Sequence, residues 1–297
     1  MSKRILLIGR NGQVSTYIQS VLKDNADFEL VVAGRETIDF NELGKLPDAL
    51  ASYGADIIVN PAAYTAVDLA EEQQELAYNV NQHAVAELAK FCAQSATPLI
   101  HFSTDYVFGG DSTAPYQESH QVGPTGVYGA SKLAGEQAVL DSGAPAIILR
   151  TAWVYSNHGK NFYKTMMALS ESHTELSVVA DQIGAPTYAG SIAEATKSLL
   201  TIIAEQGGIE VEQIGVYHFT CQGQTSWCDF AKALFVENQV TNIKVNPITT
   251  QEYPTPAKRP AYSVLDGSKL QQTFNIVLPH WGTALAQCAA ETSRTKV

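Results

Sequence analysis

The sequence predicts an α/β fold: a Rossmann-like parallel sheet with helices on both faces, joined to a smaller interleaved C-terminal lobe. Three observations carry that prediction. Residues 5–8 form an uninterrupted apolar run that stops at Gly9 and is followed by Gly12 and a stretch of helical period, which is how a central parallel strand passes into a glycine turn and helix. Further short apolar runs alternate with helical patterns along the first half of the chain. One of those runs, residues 99–102, delivers Ser103, Thr104 and Asp105 at its C-terminal end, where an α/β sheet presents ligand groups.

After Gly12, apolar residues at Val14, Ile18, Val21 and Leu22 keep helical spacing. Such a turn points backbone N–H groups at whatever lies before the helix, and a pyrophosphate is stabilised there by the free donors and the helix dipole. The third glycine of the usual pattern is replaced by Ser15, still small enough for helix and strand to approach closely. Residues 28–33 form the second strand and end at Gly34-Arg35. An acidic residue there accepts from ribose hydroxyls, whereas arginine suits a 2'-phosphate, and Arg10 in the glycine turn can assist it. NADPH is therefore the expected cofactor, with NADH as the alternative.

A short loop leads to a helix near residues 43–50, and residues 55–60 are the third strand, closed by Pro61. Residues 71–94 read as one long helix whose buried side carries Val80, Ala84, Leu88 and Phe91, with Asn81 as a polar residue inside it. After the fourth strand, residues 109–125 hold Gly-Gly and two prolines without helical period, as a surface connection or a cover over the site does. Tyr128 and Lys132, four apart, share one face of the next helix, where Leu133, Val139 and Leu140 are its apolar residues. A phenol of ordinary pKa about 10 is a poor acid at neutral pH, and a nearby ammonium lowers it, so the pair suits proton delivery to a developing alkoxide. Residues 146–149 return to strand. Beyond them, helices are expected at 162–169, 191–203 and 227–235 and strands at 176–179 and 216–220, with the tail 249–260 folding over the pocket.

Several segments together resemble the extended short-chain dehydrogenase/reductases. They are Gly9-Arg-Asn-Gly12-Gln13-Val14, Asn60-Pro-Ala-Ala63-Tyr64-Thr65-Ala-Val-Asp68, Ser103-Thr104-Asp105-Tyr106-Val107-Phe108, Tyr128-Gly-Ala-Ser-Lys132-Leu-Ala-Gly-Glu136, Arg150-Thr-Ala-Trp153-Val-Tyr155, Asn161-Phe162, Asp181-Gln182-Ile-Gly-Ala-Pro186-Thr187 and Tyr253-Pro-Thr-Pro-Ala-Lys-Arg259-Pro260. The resemblance implies NADPH-dependent reduction of the C4 keto group of dTDP-4-dehydro-L-rhamnose. It implies catalytic roles for Thr104, Tyr128 and Lys132. Gly9, Arg10, Gly12, Gln13, Val14, Arg35, Asp39, Phe40, Ala63, Tyr64, Thr65, Tyr128 and Lys132 are expected to bind the cofactor. Thr104, Asp105, Trp153, Asn161, Phe162, Gln182 and Arg259 are expected to bind the dTDP-keto-sugar. Residues 1–150 are then mainly the NAD(P)-binding domain and 151–297 mainly the substrate-binding lobe, with a return to the main sheet near 216–235.

Two alternatives use the same scaffold. One is a nucleotide-sugar epimerase or dehydratase, but Tyr106 follows Asp105 where a dehydratase carries glutamate. The other is a non-catalytic homologue like the regulatory subunit of methionine adenosyltransferase, against which Thr104, Tyr128 and Lys132 argue. Some members of the family dimerise around magnesium held by glutamates. Here Tyr17 and Gly190 stand at two such positions and Glu291 at the third, so no metal is expected, and the chain is a monomer or a homodimer without a metal bridge.

Composition agrees. A formal charge of -11 opposes nucleic-acid binding, and there is no apolar run of the roughly 18 residues a membrane helix needs. The start reads as a strand and not as a secretory signal. Cys92, Cys221, Cys228 and Cys288 are scattered without a CxxC pair, as free thiols of a cytoplasmic protein are.

Overall fold

A computed structural model describes residues 2–295. Strand β1 (Lys3–Ile8), helix α1 (Gln13–Leu22), β2 (Phe28–Ala33), α2 (Leu46–Tyr53) and β3 (Ile57–Asn60) open the chain. Helices α3 (Val67–Ala70), α4 (Gln74–Tyr78) and α5 (Ala84–Ser95), strand β4 (Leu99–Thr104), α6 (Val127–Asp141) and β5 (Ala146–Thr151) follow. These five strands and β10, introduced below, form one six-stranded sheet in the order β10-β5-β4-β3-β1-β2, with every neighbouring pair parallel. Because β2 and β3 flank β1 on opposite sides, the connections diverge there and leave a crevice beyond the strand ends.

The apolar runs are explained by burial on both faces. Ile5 and Leu7 enter one core while Leu6 and Ile8 enter the other, and Ile57 and Val59 are divided from Ile58 in the same way. Helices α2 and α5 cover one face; α1 covers the other, where it packs along α8 (Ala189–Gln206).

The expected long helix over 71–94 is three pieces. A π-helical turn at Asn79–His83 lies between α4 and α5, and it brings Asn81 inward to zero exposure. Asn81 Oδ1 accepts from the Tyr64 N–H (2.9 Å), while its amide donates to the Tyr64 carbonyl (3.1 Å) and to Ser131 Oγ (3.0 Å). Helix α6 sits unusually close to this turn. A Cβ on Gly135 would collide with the Asn81 carbonyl oxygen, and one on Gly129 with the carbonyl of Tyr106. On the same helix Val139 is buried, but Leu140 is exposed and not part of the apolar side.

The C-terminal lobe is built from short pairs. β6 (Val154–Tyr155), α7 (Phe162–Ser170), β7 (Glu175–Val179), β8 (Ile183–Gly184) and β9 (Thr187–Tyr188) precede α8. β10 (Gly215–His218) then pairs with β5, before β11 (Thr225–Ser226), α9 (Trp227–Glu237), β12 (Lys244–Ile248), α10 (Ser268–Phe274) and α11 (Trp281–Thr295). β6 pairs with β9, β7 with β12, and β8 with β11. All four cysteines are buried free thiols. Among the described residues no helix is long and apolar enough to cross a membrane.

Candidate active site

A cavity of about 590 Å³ opens beyond the ends of β1, β3, β4 and β5. At one end is the glycine turn. Gly9 has φ 98°, a left-handed conformation that glycine adopts without strain, and a Cβ there would press on the Ala62 methyl at 3.3 Å. Gly12 caps α1 without a side-chain cap bond, so the helix's first N–H groups are left for other partners, and the residues at this start line the cavity. The Gln13 side chain is tied across the cavity, its Oε1 accepting from Ser156 Oγ (2.8 Å) and Asn161 Nδ2 (2.7 Å). Asn161 also caps α7 by accepting from the Lys164 N–H at 3.0 Å. Gly9, Gly12, Gln13, Val14 and Asn161 all line the cavity.

At the rim beyond β2, Arg35, Asp39 and Phe40 line the cavity too. Arg35 is 76% exposed, with Nε 3.8 Å from Asp39 Oδ1. Arg10 is not on the wall; its guanidinium pairs with Glu36 at 2.7 Å. Ala63 and Thr65 line the wall after β3, but the Tyr64 side chain turns away and donates to Gln73 Oε1 at 3.0 Å.

The opposite wall is made by β4 and α6. Thr104 Oγ1 accepts from the Tyr106 N–H at 3.2 Å and donates to Asp105 Oδ1 at 3.0 Å. Burial pushes the Asp105 carboxyl up to about 6, with the nearby Ser263 and Thr104 hydroxyls pulling the other way. Tyr128 stands beside Thr104 and packs edge-on against Tyr106 with ring centroids 5.6 Å apart. Ser103 is spoken for: its hydroxyl donates to Glu136, which also takes a bidentate pair from Arg150 at 2.9 and 2.6 Å.

Lys132 is 1% exposed and donates to the Phe102 carbonyl at 2.6 Å. Burial brings its ammonium down to about 8, opposed by Glu136. The expected lowering of the Tyr128 phenol by Lys132 is not what this structure shows. Burial raises Tyr128 far above its usual value, the neighbouring Thr104 hydroxyl opposes that, and Asp105 and Tyr106 add to it. The reason is geometric: the ammonium is held at the Phe102 carbonyl. His101 lies on its other side, with Nε2 3.4 Å away. The Ala62 N–H bonds Asn60 Oδ1 (3.2 Å), and Asn60 Nδ2 lies 3.1 Å from His101 Nδ1, so the ring is held between Asn60 and Lys132. Burial, then the Lys132 charge, hold that ring well below the ordinary histidine range.

Trp153 lines the cavity from the lobe in a left-handed conformation (φ 47°), its ring stacked 3.5 Å on Trp227. Gly184 is required beneath it, since a Cβ there would collide with the indole. Phe162 does not line the cavity; it packs against Trp227 and Phe230. Gln182 and Arg259 also stand off the wall. Gln182 donates to Thr250 Oγ1 (3.1 Å), and Arg259 pairs with Asp68 at 2.9 Å. Lys160 lines the cavity and was not among the expected residues; its signal is a cation in the polar, glycine-bearing stretch directly before Asn161. The role of Trp227 has no local signal, because its partner Trp153 is distant in sequence.

Away from the cavity, Tyr17 donates to Glu291 at 2.6 Å and to Asn157 at 2.7 Å as alternatives, and Tyr188 also bonds Glu291. Among the described residues no group of three or more His, Cys, Asp or Glu could hold a metal ion.

Comparison with known proteins places this cavity in a family context. The family model described as the RmlD substrate binding domain matches residues 3–294. A dTDP-4-dehydrorhamnose reductase of Sinorhizobium fredii is 41% identical over 281 residues, 94% of each chain. A Bacillus anthracis dTDP-4-dehydrorhamnose reductase solved in complex with NADP superposes with a TM-score of 0.91 at 33% identity, covering 98% of this chain and all (100%) of that one. A Clostridium acetobutylicum dTDP-4-dehydrorhamnose reductase gives 0.89 at 36% identity, covering 98% and 99%.

Proposed function

The chain belongs to the dTDP-4-dehydrorhamnose reductases, a family of NAD(P)H-dependent oxidoreductases, and on that premise we propose that it reduces the C4 keto group of dTDP-4-dehydro-L-rhamnose to dTDP-L-rhamnose, with NADPH preferred to NADH. The observation that carries this reading is the presence of Thr104, Tyr128 and Lys132 on the wall of the same cavity that reaches the glycine turn.

The residues fit a dinucleotide. A side chain is barred at Gly9, the start of α1 has no side-chain cap, and Arg35 reaches solvent at the rim. Gly12, Gln13 and Val14 would hold the diphosphate, Ala63 and Thr65 the middle of the cofactor, Arg35 the 2'-phosphate and Lys132 the nicotinamide ribose. When bound, the cofactor supplies the hydride. Tyr128 gives its proton to the substrate oxygen as negative charge develops there, and Thr104 polarises the carbonyl. Lys132, on the same wall, stabilises the negative charge that develops on the Tyr128 oxygen as its proton leaves. Trp153, backed by Trp227, offers a flat face to the sugar. Asn161 and Arg259 serve the nucleotide end, Arg259 leaving its pair with Asp68 to do so.

The test is a coupled assay on enzymatically generated dTDP-4-dehydro-L-rhamnose that follows NADPH and NADH in parallel and identifies the sugar formed. Stoichiometric NADPH consumption with dTDP-L-rhamnose as product is expected. A different sugar product, or no turnover despite saturable binding of both ligands, would overturn the reading.

A further inference from the structure

The hydrogen bonds around Thr104 constrain which way its hydroxyl points. A threonine oxygen has one proton and two lone pairs. The Tyr106 N–H occupies one lone pair, and the proton is given to Asp105 Oδ1. What Thr104 has left for Tyr128 and the cavity is one acceptor site. While Asp105 is ionised, Thr104 therefore has no proton to donate to a carbonyl oxygen or to Tyr128. A protonated Asp105 reverses the chain, because its O–H donates to Thr104 Oγ1 and frees both hydroxyls to donate onward.

We propose that Asp105 is the proton store and the switch of this hydroxyl chain, competent as the carboxylic acid and idle as the carboxylate. The proposal rests on the reading that Tyr128 protonates the substrate oxygen. As the Tyr128 O–H bond breaks and the product O–H bond forms, the Thr104 proton moves to the Tyr128 oxygen and the Asp105 proton moves to Thr104 Oγ1. Three O–H bonds break and three form, leaving a neutral alcohol and an Asp105 carboxylate. The chain moves protons only. Asp105 lines the cavity, so water entering after product release can return a proton to Oδ1, the oxygen that faces Thr104. Around the carboxyl stand Thr104 and Tyr106 on its own turn, Tyr128 from α6 and Ser263 from the C-terminal segment, with the Arg259–Asp68 pair beyond Tyr106.

Burial holds this carboxyl up at about 6. Single-turnover reduction with both ligands saturating should therefore fall about tenfold per pH unit above that midpoint. Asp105→Asn keeps a donor toward Thr104 but has no proton to give, so its reduction should be slower than wild type at pH 6 and independent of pH from 5 to 8. A wild-type rate flat across that range, or an Asp105→Asn profile with the wild-type slope, would overturn the proposal. Titration of the Asp105 carboxyl by carbon-13 resonance in the wild-type protein tests the store without a variant: a midpoint in the ordinary range near about 4 sinks it. Tyr128→Phe and Thr104→Val separate the two levels of argument. If both retain full reduction the underlying reading falls, and if both lose it while the pH profile stays flat only the Asp105 switch falls.

Discussion

The β4–α6 wall and the rim beyond β2 treat charge in opposite ways. At the wall Lys132, and behind it Glu136 of α6 with Arg150 of β5, are 1%, 1% and 4% exposed, and each is bonded in fixed geometry. At the rim the Arg10 and Arg35 side chains are 49% and 76% exposed and lean on Glu36 and Asp39. Exposed pairs of this kind contribute little and are screened by salt, whereas breaking a buried pair leaves an uncompensated charge in a poor solvent. The wall can therefore hold atoms still for chemistry, while the rim can release its arginines to an arriving anion at small cost.

The largest effect that would sharpen this contrast belongs to Tyr128. Tyr128→Phe should lower single-turnover reduction roughly 100- to 10,000-fold with NADPH binding and circular dichroism unchanged; near-normal turnover in the folded variant would remove Tyr128 from the chemistry. Next is Glu136→Gln, which leaves the buried Arg150 guanidinium without its carboxylate. It should cost about 3 to 5 kcal/mol of stability by denaturant unfolding, and a loss under 1 kcal/mol would show that the wall is no more demanding than the rim. The smallest is Arg35→Ala, expected to weaken NADPH several-fold while leaving NADH unchanged, with the difference fading as salt rises. Equal effects on both cofactors would deny the rim its 2'-phosphate contact.

The same division governed what could be read in advance. The central strands were legible because burial on both faces demands continuous apolar runs; Tyr128 and Lys132 drew attention by their shared helix face, and Thr104 was singled out from Ser103 at the same strand end by the family resemblance. Pairing across long stretches was not legible. Strands β7 and β12 meet only in the folded chain, and β12, Lys-Val-Asn-Pro-Ile, carries no strong strand pattern; helices α10 and α11 were also missed. Glu36 holding Arg10, Trp227 behind Trp153, and the Phe102 carbonyl capturing Lys132 all depend on tertiary neighbours. The π turn that carries Asn81 inward looks like ordinary helix in sequence, because one extra residue in a turn leaves the apolar spacing nearly intact.

Strand β10 has a further consequence during synthesis. Strands β1 to β5 are complete by Thr151, yet the partner that covers the outer edge of β5 begins only at Gly215. Until then the buried apolar run of β5 presents an open row of backbone donors and acceptors, the arrangement that recruits strands from other chains. A nascent or truncated chain ending between those points is thus the form in which the long apolar β5 is most exposed to aggregation, and arrival of residues 215–218 replaces that edge with the short strand β10.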